Sequence, residues 1–277
     1  MATTSFASTS RVDVSPVGCL LRHWRCARRK SQLALALEAG VSARHLGFLE
    51  VGRAKPSREM VLILADALDV PLRERNVLLM AAGYAPLYRE TGLNVPEMAQ
   101  VRKALELILT HQEPYPAVVM DRHWNIVMTN EAASRFFAQL IDFHAHRRPA
   151  NVIQLMFDPE GLRPFVANWQ AVAEALIHRV HREALGGVPD EETTQLLAEV
   201  LSYPGVPKRW QSLDVLGEPP VPYLAVRFRK GDLAMNFFST VTTLGTPQDI
   251  TLQEMRIECF FPADQETEAT ARQLLGN

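Results

Sequence analysis

Cysteine is scarce in this sequence: three in 277 residues, Cys19, Cys26 and Cys259. An odd, scattered set provides no disulfide framework and suits a reducing compartment, so a cytoplasmic location is expected. Long apolar runs are absent as well. No stretch approaches the roughly 20 residues a membrane helix needs, and no membrane partner is expected. The opening MATTSFASTSRVDVSP, residues 1–16, has neither a basic n-region nor an apolar h-region, and is expected to be a disordered leader rather than a signal peptide. Also missing are GxGxxG, P-loop, GxSxG and CxxC patterns, which removes the commonest signatures of dinucleotide, nucleotide, hydrolase and thiol-pair chemistry. No catalytic residue, metal ligand or cofactor is assigned. What remains is 47% hydrophobic and 22% charged, a globular make-up long enough for one large domain or two ordinary ones.

The formal net charge of −2 hides a division along the chain. Residues 1–90 hold 13 Lys+Arg against 8 Asp+Glu, and the remainder holds 16 against 23. In the first part the cations crowd into Arg22, Arg25, Arg28, Arg29 and Lys30, then Arg44, Arg53, Lys55 and Arg58. A basic stripe on a small helical unit is the footprint of a phosphate-binding surface; a solvated helix face is the plain alternative.

Gly40, Gly52, Pro56, Pro71 and Gly83 punctuate short apolar-periodic runs, which predicts five helices near 17–29, 32–39, 43–51, 57–68 and 72–82. This gives an all-α unit over 17–83, followed by a Pro- and Gly-rich linker over 84–97. From residue 98 the pattern turns mixed. An amphipathic helix carrying Met98, Val101, Leu105, Ile108 and Leu109 on one face precedes two strands, AVVMD and NIVMT, in hairpin spacing. Asn130 caps a helix through EAASRFFAQL. Helices follow at about 160–185, closed by Gly186-Gly187, and 190–202. The strands YLAVRFR, LAMNFFSTVTT and MRIECFF complete a second domain over 98–263, leaving a tail at 264–277. The expectation is an α+β domain with a five-stranded antiparallel sheet and helices over one face.

The most specific signal lies in QLALALEAGVSARHLGFLEV, residues 32–51. Two helices that cross steeply need a small residue where they approach, which Ala36 supplies, and a turn tolerating positive φ, which Gly40 supplies four residues later. Ser42 caps the second helix, and Val41, Leu46 and Leu49 point back at the first. At 100° per residue Ala43, Arg44, Gly47 and Phe48 then face outward, as a helix entering the DNA major groove requires. Arg44 suits a bidentate contact to guanine O6 and N7, Ala43 and Phe48 suit thymine methyls, and Gly47 permits close approach. Gln32 opens the preceding helix within reach of a phosphate, and Arg28, Arg53 and Lys55 are candidate backbone contacts. Phe48 has packing as its alternative role, and His45, beside the buried face, reads as structural.

The stretch from LRHWRCARRK to LADALDV resembles the five-helix Cro/C1-type (XRE) helix-turn-helix, including the LExGRxxPS signature at Leu49-Glu50, Gly52-Arg53 and Pro56-Ser57. The resemblance implies a lambda-repressor-like fold and a structural pair between Glu50 and Arg25. The family's acidic pair after the glutamine is replaced here by Leu33 and Leu35. VPLRERNVLLMAAGYAPLYRET, EPYPAVVMDRHWNIVMTNEAASRFF and NVIQLMFDPEGLRPFVANWQAVAEALIHRVHREA in turn resemble MmyB-like regulators, in which a PAS-like ligand-binding domain follows the DNA-binding one. Leu213 stands where that family has a histidine.

Ten of the twelve phenylalanines and three of the four tryptophans follow residue 91, so the large apolar volume lies in the second part. A pocket so lined favours a small apolar or amphipathic effector, and the resemblance extends this to fatty-acid-like molecules. Trp124, Phe136, Phe137, Phe165, Trp169, Phe237 and Phe238 are the lining candidates, with plain core as their alternative. Glu174, His178 and His181 share a helix flank with metal-like spacing but lie amid Arg179 and Arg182, and a solvated flank explains them, as a polar loop explains His144 and His146. Cys19 and Cys26, seven apart, are expected in the core. The expected protein is a homodimeric transcription regulator on a palindromic double-stranded operator, responding to a small hydrophobic effector. A haem- or flavin-bearing sensor, an enzyme domain fused to a DNA-binding unit, and a PAS-like domain that only dimerises are the rivals.

Overall fold

The computed structural model describes residues 16–142, 149–185, 190–206 and 223–276. The expected leader to residue 15, His144, His146, Gly186-Gly187 and Leu213 lie outside the described residues. The chain forms two compact units, one ending at Glu90 and joined by Gln248–Ile250, the other beginning at Thr91.

The first unit contains helices α1 (Pro16–Ala27), α2 (Gln32–Glu38), α3 (Ala43–Glu50), α4 (Arg58–Ala67) and α5 (Leu72–Ala81), each within two residues of its predicted bounds. Local chemistry sets these bounds. Ser31, Ser42 and Ser57 each accept the backbone N–H three residues on, at 3.0, 3.1 and 3.1 Å, satisfying a donor the helix itself cannot. Gly40 ends the turn at φ 66° and Gly52 at φ 76°, conformations that a Cβ disfavours. Val17, Leu21, Trp24, Leu35, Leu46, Leu49 and Leu64 fill the core. The closest backbone approach is at Gly18, where a Cβ would meet the Leu49 carbonyl oxygen at 2.5 Å, so α1 and α3 touch through backbone. Cys19 and Cys26 are exposed and not core: the buried stripe of α1 is Val17, Leu21 and Trp24, and the cysteines fall on the opposite side. Residues 84–88 of the expected linker pack onto this unit, with Leu87 and Tyr88 N–H donating to Asn76 Oδ1 and Tyr84 Oη to the Pro56 carbonyl.

In the second unit five strands form one antiparallel sheet: β1 (Ala117–Met120), β2 (Ile126–Thr129), β3 (Val226–Lys230), β4 (Leu233–Thr242) and β5 (Arg256–Pro262), in the order β2-β1-β5-β4-β3. Val119 pairs with Ile257, Thr240 with Cys259 and Phe228 with Met235. Alternation divides the faces. Val118, Met120, Phe228, Met235 and Phe237 face the main core, built with α7 (Glu131–Leu140), α8 (Val152–Phe157), α9 (Trp169–Leu185) and α10 (Glu191–Ser202). Ala117, Val119, Ile257 and Cys259 meet Leu105 and Leu109 of α6 (Ala99–His111) on the other side. Helices therefore cover both faces, not one, because β1 is apolar on both and β5 adds Ile257 and Cys259 on the side away from the main core.

Two further expectations change. The long helix expected from about 160 begins at Trp169, since Pro159, Gly161 and Pro164 break the chain after α8. Gly161 sits where a Cβ would lie 2.4 Å from the Leu155 carbonyl oxygen. The expected tail forms a helix after the short α11 (Ile250–Glu254): α12 (Gln265–Leu274) is capped by Asp264 and buries Thr267 and Ala271, followed by Leu275, in the main core.

Candidate functional site

In the first unit a buried carboxylate organises the helix-turn-helix. Glu50, 3% exposed at the end of α3, accepts from Arg25 Nε at 2.6 Å and Nη2 at 2.8 Å. It also accepts from Gln32 Nε2 at 2.8 Å. Burial pushes its pKa up, but the hydrogen bonds from Arg25 and Gln32 and the Arg25 charge outweigh that, and the carboxyl titrates below its ordinary range. Arg25 spends Nη1 on the Lys30 carbonyl at 2.9 Å. The Glu50–Arg25 pair that the resemblance implied is present, and it reaches one residue further, fixing the amide of Gln32 at the start of α2.

Above this network α3 turns its other side outward. Leu46 and Leu49 are fully buried, whereas Arg44 is exposed and Ala43, Gly47 and Phe48 are half-buried. The Arg44 guanidinium lies 5.5 Å from the Phe48 ring centre. Phe48 thus keeps partial access while bracing a neighbour. A Cβ at Gly47 would meet nothing closer than Gln32 Oε1 at 3.6 Å. Ser42 is exposed at the helix start, its hydroxyl capping His45 N–H. Arg53 and Lys55 are exposed on the following loop. Arg28 is placed differently from the rest. Its Nε donates to the Leu68 carbonyl at 2.9 Å, its Nη2 to that of Asp69 at 2.7 Å, and it lies over Trp24, so it clamps the end of α4. Lys30 does the same at the Ala67 carbonyl, 2.6 Å away, and pairs with Glu38.

Within the second unit a cavity of about 750 Å³ opens between β2, α7 and β3. Ile126, Phe137, Leu140 and Ile141 supply apolar wall, and Thr129, Ser134, Asp142 and Lys230 supply polar groups. Lys230 Nζ donates to the Gln139 and Leu140 carbonyls at 2.8 and 3.0 Å, which fixes a cation at the cavity beside the end of α7. Of the seven aromatics expected to line a pocket, Phe137 lies on this one. Phe136 and Phe237 are buried behind it, edge to face at 5.4 Å. Phe165 stacks under Lys230 and Trp169 under Arg163. Phe238 packs on Phe261 across the opposite sheet face, so it and Phe237, adjacent on one strand, cannot share a lining. Lys230, Ile126 and Ile141 carry no linear mark of a shared cavity, because only the fold brings β3, β2 and the end of α7 to one cavity.

Trp124 is fully buried at φ 69°, with the Arg179 and Arg256 guanidinium groups 4.3 and 5.0 Å from its ring centre. Its Nε1 donates to Glu183 Oε2 at 3.2 Å. Burial raises the Glu183 pKa against the pull of both arginines. Next to it Arg122 and His123 tie the β1–β2 turn to Asp190, the cap of α10, at 2.6 and 3.0 Å. Burial pushes Asp190 up, but the Thr193 hydroxyl and N–H, then Arg122 and His123, bring it down to about 2. Glu174, His178 and His181 are not drawn into a metal site: among the described residues no group of three or more His, Cys, Asp or Glu is placed to hold an ion. No helix among the described residues is long and apolar enough to cross a membrane.

A helix-turn-helix unit joined to a separate α+β domain with its own cavity defines a DNA-binding transcription regulator with a ligand-binding domain. Residues 21–75 match the helix-turn-helix family model, and residues 101–274 match the model described as the MmyB-like transcription regulator ligand binding domain. The chain belongs to the MmyB-like transcription regulators. No curated protein matches it. A solved structure titled as an RNA-binding light-oxygen-voltage receptor is similar at 12% identity over 98% of this chain and 67% of its own, with a TM-score of 0.29, too slight a likeness to carry an argument.

Proposed function

We propose that this protein is a cytoplasmic homodimer that reads a palindromic operator through α3 and answers to a small apolar or amphipathic effector, a fatty acid being one such molecule. The outward set Ala43, Arg44, Gly47 and Phe48 carries the DNA half of this reading, with Ser42, Gln32, Arg53 and Lys55 toward phosphate. Two copies on one duplex face require half-sites about one helical turn apart or a multiple of it. The cavity carries the other half. Its volume falls in the range of small-molecule sites, and its apolar wall with one fixed ammonium suits a chain ending in an anionic group. An effector changes operator binding only to the extent that it binds the two arrangements of the dimer unequally.

Native mass spectrometry of the full chain after gentle purification tests the effector half. A dimer retaining a small molecule that is lost on Ile126→Trp, which narrows the cavity, is the expected result. A dimer with no retained mass, and no shift in melting temperature with any of a series of fatty acids, would overturn it.

A further inference from the structure

The cations of the first unit are not equivalent. Arg25, Arg28 and Lys30 are all spent on internal acceptors. No acceptor among the described residues takes the donors of Arg44; its guanidinium is held instead against Phe48, one turn further along α3. A guanidinium stacked on a ring keeps its N–H edge pointing outward and loses less freedom when that edge engages a base. Its carbon sits 5.5 Å from the ring centre, close to one and a half times the roughly 3.4 Å rise between bases on a strand. On a helix lying along the groove, two side chains so joined can reach neighbouring base pairs. Gly47 flanks the pair without a Cβ, and the nearest group to that position is Gln32 Oε1 at 3.6 Å, so no side chain from that residue stands beside the guanidinium.

We infer that Arg44 and Phe48 act as one reader of a two-base step, a guanine beside a pyrimidine that carries a C5-methyl. Arg44 takes guanine O6 and N7; the Phe48 edge packs on the C5-methyl of the adjacent pair. Recognition therefore depends on the methyl group and not on thymine as such: 5-methylcytosine serves in its place, and uracil does not. This rests on the DNA-reading role proposed above.

The test uses the full chain and a random duplex library. The operator recovered by selection is expected to contain a thymine next to a guanine in each half-site. Fluorescence anisotropy at one salt concentration then compares that operator with forms carrying uracil, cytosine or 5-methylcytosine at the thymine. Uracil is expected to weaken binding about fourfold, the worth of one buried methyl, and 5-methylcytosine to bind about fourfold better than cytosine. Phe48→Ala should abolish both differences and also weaken the guanine preference, since Arg44 loses its brace. Equal binding of the thymine and uracil forms overturns the inference while leaving DNA reading intact. A library from which no duplex is enriched overturns the DNA-reading role, and this inference with it.

Discussion

Removing the Glu50 carboxylate should cost the first unit a large share of its stability. Glu50→Ala leaves the Arg25 guanidinium, 12% exposed, without its two strongest acceptors, and strips Gln32 Nε2 of its partner. Breaking a buried pair from one side typically costs about 3–5 kcal/mol, because the surviving charge remains in a poorly solvating place. A domain of this size holds roughly 5–15 kcal/mol in all and shifts its melting point by about 4–8 °C per kcal/mol. Hydrogen exchange read by mass spectrometry on peptides from 17–83 measures the opening free energy of this unit alone, while peptides from the second unit act as the internal control. Glu50→Leu with Arg25→Met removes both charges and should recover more than half of the loss. The pH dependence has a definite sign. A carboxyl whose folded pKa is depressed stabilises above its unfolded value and loses that contribution as pH falls through the folded one, so wild type and Glu50→Ala should converge in acid. A loss below about 1 kcal/mol at neutral pH, or a double variant no better than the single, would refute the reasoning.

Gly18→Ala drives a methyl against the Leu49 and Glu50 carbonyls at 2.5 and 2.7 Å, and should destabilise the first unit by about 1–3 kcal/mol or more, seen in the same exchange experiment. Gly47→Ala should do the opposite to stability, raising it by up to about 1 kcal/mol through helix propensity, while weakening operator binding in anisotropy. If both properties rise, α3 does not enter the groove at that residue. Asp190→Asn should weaken the start of α10 by about 1–2 kcal/mol near pH 7, after allowance for partial exposure, and the gap to wild type should close as pH falls from about 4 toward 2. Exchange rates of peptides spanning 190–203 report it; a pH-independent gap would contradict the assignment.

The parts that sequence reading recovered are those governed by short-range chemistry. Ser42 and Asn130 cap the helices expected of them, and Gly40 turns where its φ allows. The outward face of α3 follows from helical period alone, which is why Arg44 and Phe48 fall where expected. The rest depends on partners that a linear reading does not see. α12 escaped because its buried residues are a threonine, an alanine and one leucine, too little apolar mass to register until the sheet supplies the opposing surface. Phe237 and Phe238 looked alike as neighbours, yet a strand turns adjacent residues to opposite faces. Arg28 looked like a phosphate ligand because its charge was visible and the carbonyls of Leu68 and Asp69, forty residues away, were not.

The inward turn of Arg25, Arg28 and Lys30 also bears on counterions. Each Lys or Arg that neutralises a phosphate releases condensed cations, and the salt dependence of binding counts these events, with log K falling by about 0.9 per contact. The nine basic side chains clustered between Arg22 and Arg58 would suggest a slope near −8 per unit on duplex DNA. With three of them engaged on carbonyls and carboxylates, at most six remain to meet phosphate, and the slope should not exceed about −5 per unit. The internal clamps thus lower the non-specific, salt-sensitive part of the affinity. A larger share of operator binding is left to the base edges that α3 reads.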